Sequence, residues 1–258
     1  MSRTAAAHRR RSVAVVAGLA LTAAGCADDE TTLTVLAAAS LREPMEQLAA
    51  DLEAEHDGVE VRLSFAGSSE LASQVLQGAP AEVLVTADEP TMDRVADAGL
   101  TDGAPELVAT NRMTIATPPG NPAEVETVDD LGEDHGGDLD LVVCAPQVPC
   151  GAAAQRVAKS AGVTLAPVSE ESKVTDVVAK VAAGEADAGI VYVTDTAGRD
   201  DLDAVEIPDR LNTTTAYPAA ALTGSAHPEL AREMTDLVVA DGAGEGLGRL
   251  AAAGFEAP

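Results

Sequence analysis

The sequence predicts an α/β fold in which a largely parallel sheet is divided between two lobes, and three observations predict it. Short β-branched or apolar segments alternate with segments of helical period from about residue 31 onward, the pattern of strand–helix units on a parallel sheet. The cluster Pro118-Pro119-Gly120-Asn121-Pro122 interrupts that alternation, which then restarts. Hydrophobic residues make up 46% of the 258, enough for a core and too many for a disordered chain.

Thr31 to Ala38 is a β-branched and apolar run that reads as the first strand. Ser40 is placed to cap the helix that follows through Ala54, with Pro44 tolerated in its first turn. Val59 to Phe65 alternates as a strand does, and Gly67-Ser68-Ser69-Glu70 opens a helix to Leu76. Glu82 to Thr86 is a short strand and Glu89 to Ala98 a helix; the longer apolar run Glu106 to Thr117 ends at the proline cluster. Beyond it the readings are a strand at Asp140 to Cys144, helices at Gly151 to Ala161 and Val174 to Ala183, and a strand at Ala188 to Val191. Val205 to Ile207 and Thr214 to Leu222 read as strands, and closing helices run from about Pro228 to Ala240 and Ala243 to Ala252. Those helices have no sheet of their own and are expected to return to the first lobe. The division read here is a leader at 1–25, a tether at 26–32, one lobe from 33–113 with 222–258, and a second from 114–221.

Aromatic residues are only 2% (Phe65, Tyr192, Tyr217 and Phe255) and the formal charge is −27. Nucleic-acid binding needs basic surface and usually stacking rings, so that class is excluded, and an anionic lipid surface is no better a partner. The leader carries Arg9, Arg10 and Arg11, then the apolar run Val13 to Ala24, then Gly25-Cys26. This is the basic–apolar–small order of an export signal, with an apolar stretch too short to span a bilayer. A small pair before a cysteine resembles the bacterial lipobox, although Ala23 stands where leucine is preferred. Cys26 is therefore the expected lipidation site, the alternative being ordinary cleavage near Ala24; the arginines also suit a twin-arginine signal loosely. Export places Cys144 and Cys150 in an oxidising compartment, where a disulfide across Ala-Pro-Gln-Val-Pro is favoured over two free thiols or an incomplete metal pair.

Three loops share one pattern, a strand end followed by small or hydroxyl residues opening a helix: Ala37 to Leu41, Phe65 to Ser69 and Val148 to Gly151. Helix N-termini expose unpaired N–H groups and partial positive charge, so they hold anions without lysine or arginine. In open α/β sheets ligands settle at the carboxyl ends of strands, where these loops lie. The plain alternative is that Ser40 and Ser68 only cap their helices.

Thr34-Val-Leu-Ala-Ala-Ala-Ser-Leu41, Ser64-Phe-Ala-Gly-Ser-Ser-Glu-Leu71, Gly78-Ala-Pro-Ala81, Ala87-Asp88, Met92-Asp93, Val148-Pro-Cys-Gly151, Gly184 to Tyr192 and Ala216-Tyr-Pro218 resemble the molybdate-binding component of ABC importers, in order, from about Leu33 to Phe255. The resemblance implies a two-lobed periplasmic-binding-protein fold of type II, with a hinged cleft closing on a tetrahedral dianion. By the same motifs it implies molybdate ligands at Ser40 and Ser68 and at the backbone N–H groups of Cys150 and Val174, with the Tyr192 hydroxyl completing the cage. It implies no cofactor and no catalysis; molybdate, and tungstate as its near isostere, are cargo, and an ABC permease with its ATPase is the partner of a monomer held to the membrane only by its anchor. Two departures from the family pattern stand out: Gly67 occupies a position where a serine donor is frequent, and the Cys144–Cys150 loop is one residue shorter than in some relatives.

Hydrogen bonds to a charged group contribute about 1.5–3 kcal/mol each, so a handful of donors can offset the desolvation of a dianion. A cage made only of donors leaves the O–H of a protonated oxyanion without an acceptor, which disfavours hydrogen phosphate; sulfate has to be excluded by size. The competing readings are a receptor of the same fold for sulfate, phosphate or an organic solute, and an exported hydrolase. No G-x-S-x-G, G-x-x-x-x-G-K-[ST] or H-E-x-x-H motif is present to support the latter. His135 with Glu133, Asp134 and Asp138 reads as a solvated acidic loop rather than a metal site.

Overall fold

A computed structural model of the chain describes residues 31–135, 139–243 and 248–258. The expected leader, Cys26 and residues 26–30 of the expected tether lie outside these, as does Asp138 of the acidic loop. Among the described residues no helix is long and apolar enough to cross a membrane.

β1 (Thr31–Ala38) lies between β2 (Val59–Ala66) and β3 (Val83–Val85), parallel to both. The tether therefore ends two residues earlier than expected, because Thr31 and Thr32 already pair with Val59 and Glu60. α1 (Arg42–Glu55), α2 (Ser68–Leu76) and α3 (Glu89–Asp97) follow these three strands in turn. β4 (Glu106–Thr117) leaves this lobe, and the second lobe contains β5 (Leu141–Cys144), α4 (Pro149–Ala161), β6 (Ser169–Glu171), α5 (Val174–Ala182), β7 (Ala188–Tyr192), α6 (Val193–Thr196) and β8 (Asp203–Glu206). β9 (Thr214–Ala221) returns, and α7 (Pro228–Ala243) and α8 (Arg249–Ala252) close the chain.

The strands form one path, β2-β1-β3-β9-β4-β7-β5-β6, with β8 beside β4. The parallel pairing expected from strand–helix alternation holds within each lobe, where β5 runs parallel to β6 and β7. The crossing strands are antiparallel: β9 to β3 and β4, and β7 and β8 to β4. A chain that leaves a lobe and comes back beside its own exit must run that way. β4 changes sheets within itself, pairing with β9 through Arg112 and with β7 and β8 from Met113 onward. The return crossing precedes Thr214, which corrects the 221/222 division: Val83 to Val85 hydrogen-bond along Ala219 to Ala221, so β9 belongs to the first lobe.

Asn212 ties the two crossings together. Its Oδ1 accepts from Met113 N at 3.0 Å, and its Nδ2 donates to Met113 O at 2.8 Å and Ile207 O at 3.2 Å. α7 packs on β4, β9 and α1, returning to the first lobe as expected and burying Ala231, Met234 and Val238. The second lobe buries Val157 of α4, Val177 and Val181 of α5, and Ile190 of β7 in a hydrophobic cluster that runs on into the first lobe.

Candidate anion-binding site

Five strand ends build the site. β1 runs into a single 3-10 turn, Ala39–Leu41, which carries Ser40; α1 then starts with Leu41 at its N-cap. Ser40 is thus not the helix cap read from the sequence, because the extra turn draws it off the helix start and frees its hydroxyl. β2 ends at Gly67, the N-cap of α2, and Ser68 is that helix's first residue. In the second lobe, Cys150 lies in the first turn of α4 behind Pro149, Val174 opens α5, and Tyr192 ends β7. The amides of a helix's first turn have no carbonyl within the helix to donate to, and the partial positive charge there adds to their pull on an anion.

The structure brings all five of Ser40, Ser68, Cys150, Val174 and Tyr192 to one cavity, with Ala87 and Lys173 among its other walls. Its volume is about 20 Å³, space on the scale of a water molecule and too little for an organic solute. No carboxylate, arginine or histidine lines it. Arg42, the arginine nearest in sequence, lies over the Phe65 ring at 4.3 Å and pairs with Glu46 at 3.3 Å. The Lys173 ammonium lies 3.4 Å from Asp176.

The hydroxyls are individually wired. Ser68 is buried and its Oγ accepts from Ala87 N–H at 3.0 Å, which leaves its own proton free to donate elsewhere. Ser40 Oγ lies 3.2 Å from the Tyr217 hydroxyl. Tyr192 Oη is buried and has no partner within hydrogen-bond distance among the described residues, the Tyr217 hydroxyl being a farther polar neighbour. Burial pushes the Tyr192 phenol well above its ordinary value, with nearby Tyr217 and Asp195 adding to the effect, so it remains a donor at any physiological pH.

Behind Tyr192, Asp195 accepts the Tyr192 N–H at 2.9 Å. Burial pushes its carboxyl up to about 7, against the lowering pull of that hydrogen bond and of Arg199. The folded state therefore holds the Asp195 proton more tightly than the unfolded chain does, and this contribution to stability fades as pH rises through 7. Asp195→Asn is expected to melt higher than wild type at about pH 8 and to match it near about pH 4, where both side chains are neutral. Thermal melts across that range check the crossover.

The two lobes also touch at the rim. Ser69 Oγ donates to the Gln147 carbonyl at 2.9 Å. Gln147 sits in the loop closed by Cys144 and Cys150, which the structure joins as a disulfide with Cα atoms 5.6 Å apart. Among the described residues no group of three or more His, Cys, Asp or Glu is placed to hold a metal. On the other side, Gly67 abuts the Ser172 carbonyl so closely that a Cβ would overlap its oxygen. The absence of a serine at Gly67 is thus an absence of bulk as much as of a donor. Lys180 of α5 hydrogen-bonds Glu171 and holds its carboxyl below the ordinary range, with Ser169 assisting, which pins β6 and the turn at Ser172. Sequence reasoning assigned no role to Ser69, Ala87 or Tyr217; for Tyr217 the sole signal was its place in the quoted Ala-Tyr-Pro motif.

Two lobes joined by crossing strands, with helix starts from both meeting at one small cavity, define a solute-binding protein of the hinged-clamp class. The chain belongs to the bacterial extracellular solute-binding protein family, whose pattern matches residues 33–256. It is 42% identical over 218 residues to the molybdate-binding protein ModA of Mycobacterium tuberculosis strain H37Rv, an alignment covering 84% of this chain and 82% of that one. The Escherichia coli molybdate-binding protein ModA is 32% identical over 227 residues, covering 83% and 88% of the two chains. In fold it is similar to the periplasmic molybdate-binding protein of Azotobacter vinelandii (TM-score 0.71, 19% identity, covering 88% and 99%) and to the sulfate-binding protein SubI of M. tuberculosis (0.69, 19%, 87% and 86%). The fold alone therefore does not separate one oxyanion from another.

Proposed function

We propose that the chain captures molybdate, and tungstate with it, in the cavity between its lobes and delivers it to an ABC permease and its ATPase. The observation that carries this reading is the convergence of two serine hydroxyls, one unpartnered buried tyrosine hydroxyl and the first-turn amides of α4 and α5 on a cavity that no carboxylate lines. The relatives named for molybdate give the ligand its identity. Ser40, Ser68 and Tyr192 donate through their hydroxyls, Cys150 and Val174 through their backbone N–H groups, and the anion bridges the lobes. No step of bond making is involved; the work is hinge closure, stabilised by an anion that binds the closed arrangement better than the open one. The export leader, the anchor at Cys26 and a monomeric state complete the proposal.

Thermal unfolding of residues 31–258 with molybdate, tungstate, sulfate and phosphate in turn tests it. Ligand at about a hundredfold its Kd stabilises the folded state by about 2.7 kcal/mol, which raises Tm by about 5–10 °C for a chain of this size. A shift with molybdate and tungstate alone is expected; a shift with sulfate or phosphate as well overturns the specificity. Ser40→Ala and Ser68→Ala are each expected to weaken molybdate binding by about tenfold or more, the loss of one charge-assisted hydrogen bond. Titration calorimetry reads the loss, and wild-type affinity in both variants overturns the site.

A further inference from the structure

We propose that Tyr217 is a specificity-determining positioning residue: its hydroxyl donates to Ser40 Oγ, occupying one of the serine's two lone pairs from behind and thereby turning the Ser40 proton toward the bound anion. This rests on the ligand reading above and extends it to a residue that does not line the cavity.

Tyr217 is fully buried on β9, where its ring meets Tyr192 edge-on at 5.9 Å and Phe255 edge-on at 5.2 Å between centroids. Its hydroxyl lies 3.2 Å from Ser40 Oγ. A buried phenol must place its proton on an acceptor. Among the described residues Ser40 Oγ, at 3.2 Å, is the acceptor within hydrogen-bond distance of it, with the Asn111 and Tyr192 side chains as its farther polar neighbours. Were the direction reversed, the serine proton would be withdrawn from the cavity. The direction from Tyr217 to Ser40 satisfies both groups and aims one proton at the ligand. Ser68 shows the same wiring by a different route, with Ala87 N–H as the donor behind it. Both serines thereby have one lone pair engaged from behind and their proton turned toward the cavity. A serine lacking its rear donor can rotate and accept an O–H from a protonated oxyanion.

A double-mutant cycle with a selectivity readout tests this. Molybdate and phosphate are titrated calorimetrically into wild type, Tyr217→Phe, Ser40→Ala and the double variant at about pH 7, where every phosphate ion carries at least one proton and molybdate carries none. Tyr217→Phe keeps the ring and its packing. It is expected to lower molybdate affinity by about tenfold in the wild-type background and by less than about threefold when Ser40 is already alanine. The preference for molybdate over phosphate is expected to narrow in Tyr217→Phe. An equal loss in both backgrounds, or an unchanged preference, overturns the proposal and leaves Tyr217 as packing. If wild type binds sulfate and not molybdate, the ligand reading fails and the same cycle run with sulfate decides Tyr217; binding of no oxyanion by wild type overturns both.

Discussion

Gly67→Val is expected to lower molybdate affinity by more than about a hundredfold while leaving the ligand-free protein's melting temperature within a few degrees of wild type. Gly67 has φ −63° and ψ 135°, a conformation any residue adopts, so nothing in the backbone calls for glycine. What calls for it is space. A Cβ at this position would overlap the Ser172 oxygen and lie 3.3 Å from its carbonyl carbon, and that carbonyl belongs to the opposite lobe. A backbone oxygen pinned by β6 and the Lys180–Glu171 pair has nowhere to move, so the lobes themselves must part. Parting them carries the amides of Cys150 and Val174 and the hydroxyl of Tyr192 away from Ser40 and Ser68, and an anion then meets half a cage. Gly67 is not part of the hydrophobic core, which is why the melt of the free protein is the control. Calorimetric titration beside a thermal melt separates the two effects, and near wild-type affinity would show that the anion does not bind in this closed arrangement.

Gly242→Ala should cost about 3 kcal/mol of folding stability, lowering Tm by about 6–10 °C. In an exposed helix the same change stabilises by up to about 1 kcal/mol, so the sign is the informative part. Gly242 is buried in α7 where the helix lies flush on β4, and a Cβ there would overlap the Val108 oxygen and sit 2.6 Å from the Val108 carbonyl carbon. The helix has to lift from a strand that also forms the first half of the interlobe crossing. Urea unfolding reads the loss directly, and a neutral or stabilising result would mean that α7 does not sit this close to the sheet.

Most elements were legible in the sequence because local periodicity and punctuation carried them. α2 over Ser68–Leu76 and the strand Glu106–Thr117 match the residues read from pattern alone. β6 escaped because three polar residues, Ser169-Glu170-Glu171, on the edge of a sheet have no periodicity to display. Ser40 was placed at the right corner with the wrong local role, since a 3-10 turn inserted before a helix leaves no signature in composition. The five candidate site residues do converge on one cavity, and they were named through motifs that span the chain. What pairs or collides across the lobes was not legible. The partnership of Ser40 with Tyr217, 177 residues apart, and the overlap of Gly67 with Ser172 depend on how two separately folded halves meet. The second boundary was missed for a related reason: nothing in Thr214 to Ala221 says which lobe's strand it will pair with.

The chain has no tryptophan and only two tyrosines, Tyr192 and Tyr217, and their rings touch at the cavity. Near-ultraviolet emission from the whole protein therefore originates almost wholly in this ring pair, one ring from each lobe, with Tyr192 in the cavity wall. No indole dilutes that signal, so an anion that enters the cavity and draws the lobes together is expected to change it. A dye or an engineered probe is unnecessary, and stopped-flow fluorescence of the unmodified chain can time the arrival and release of cargo.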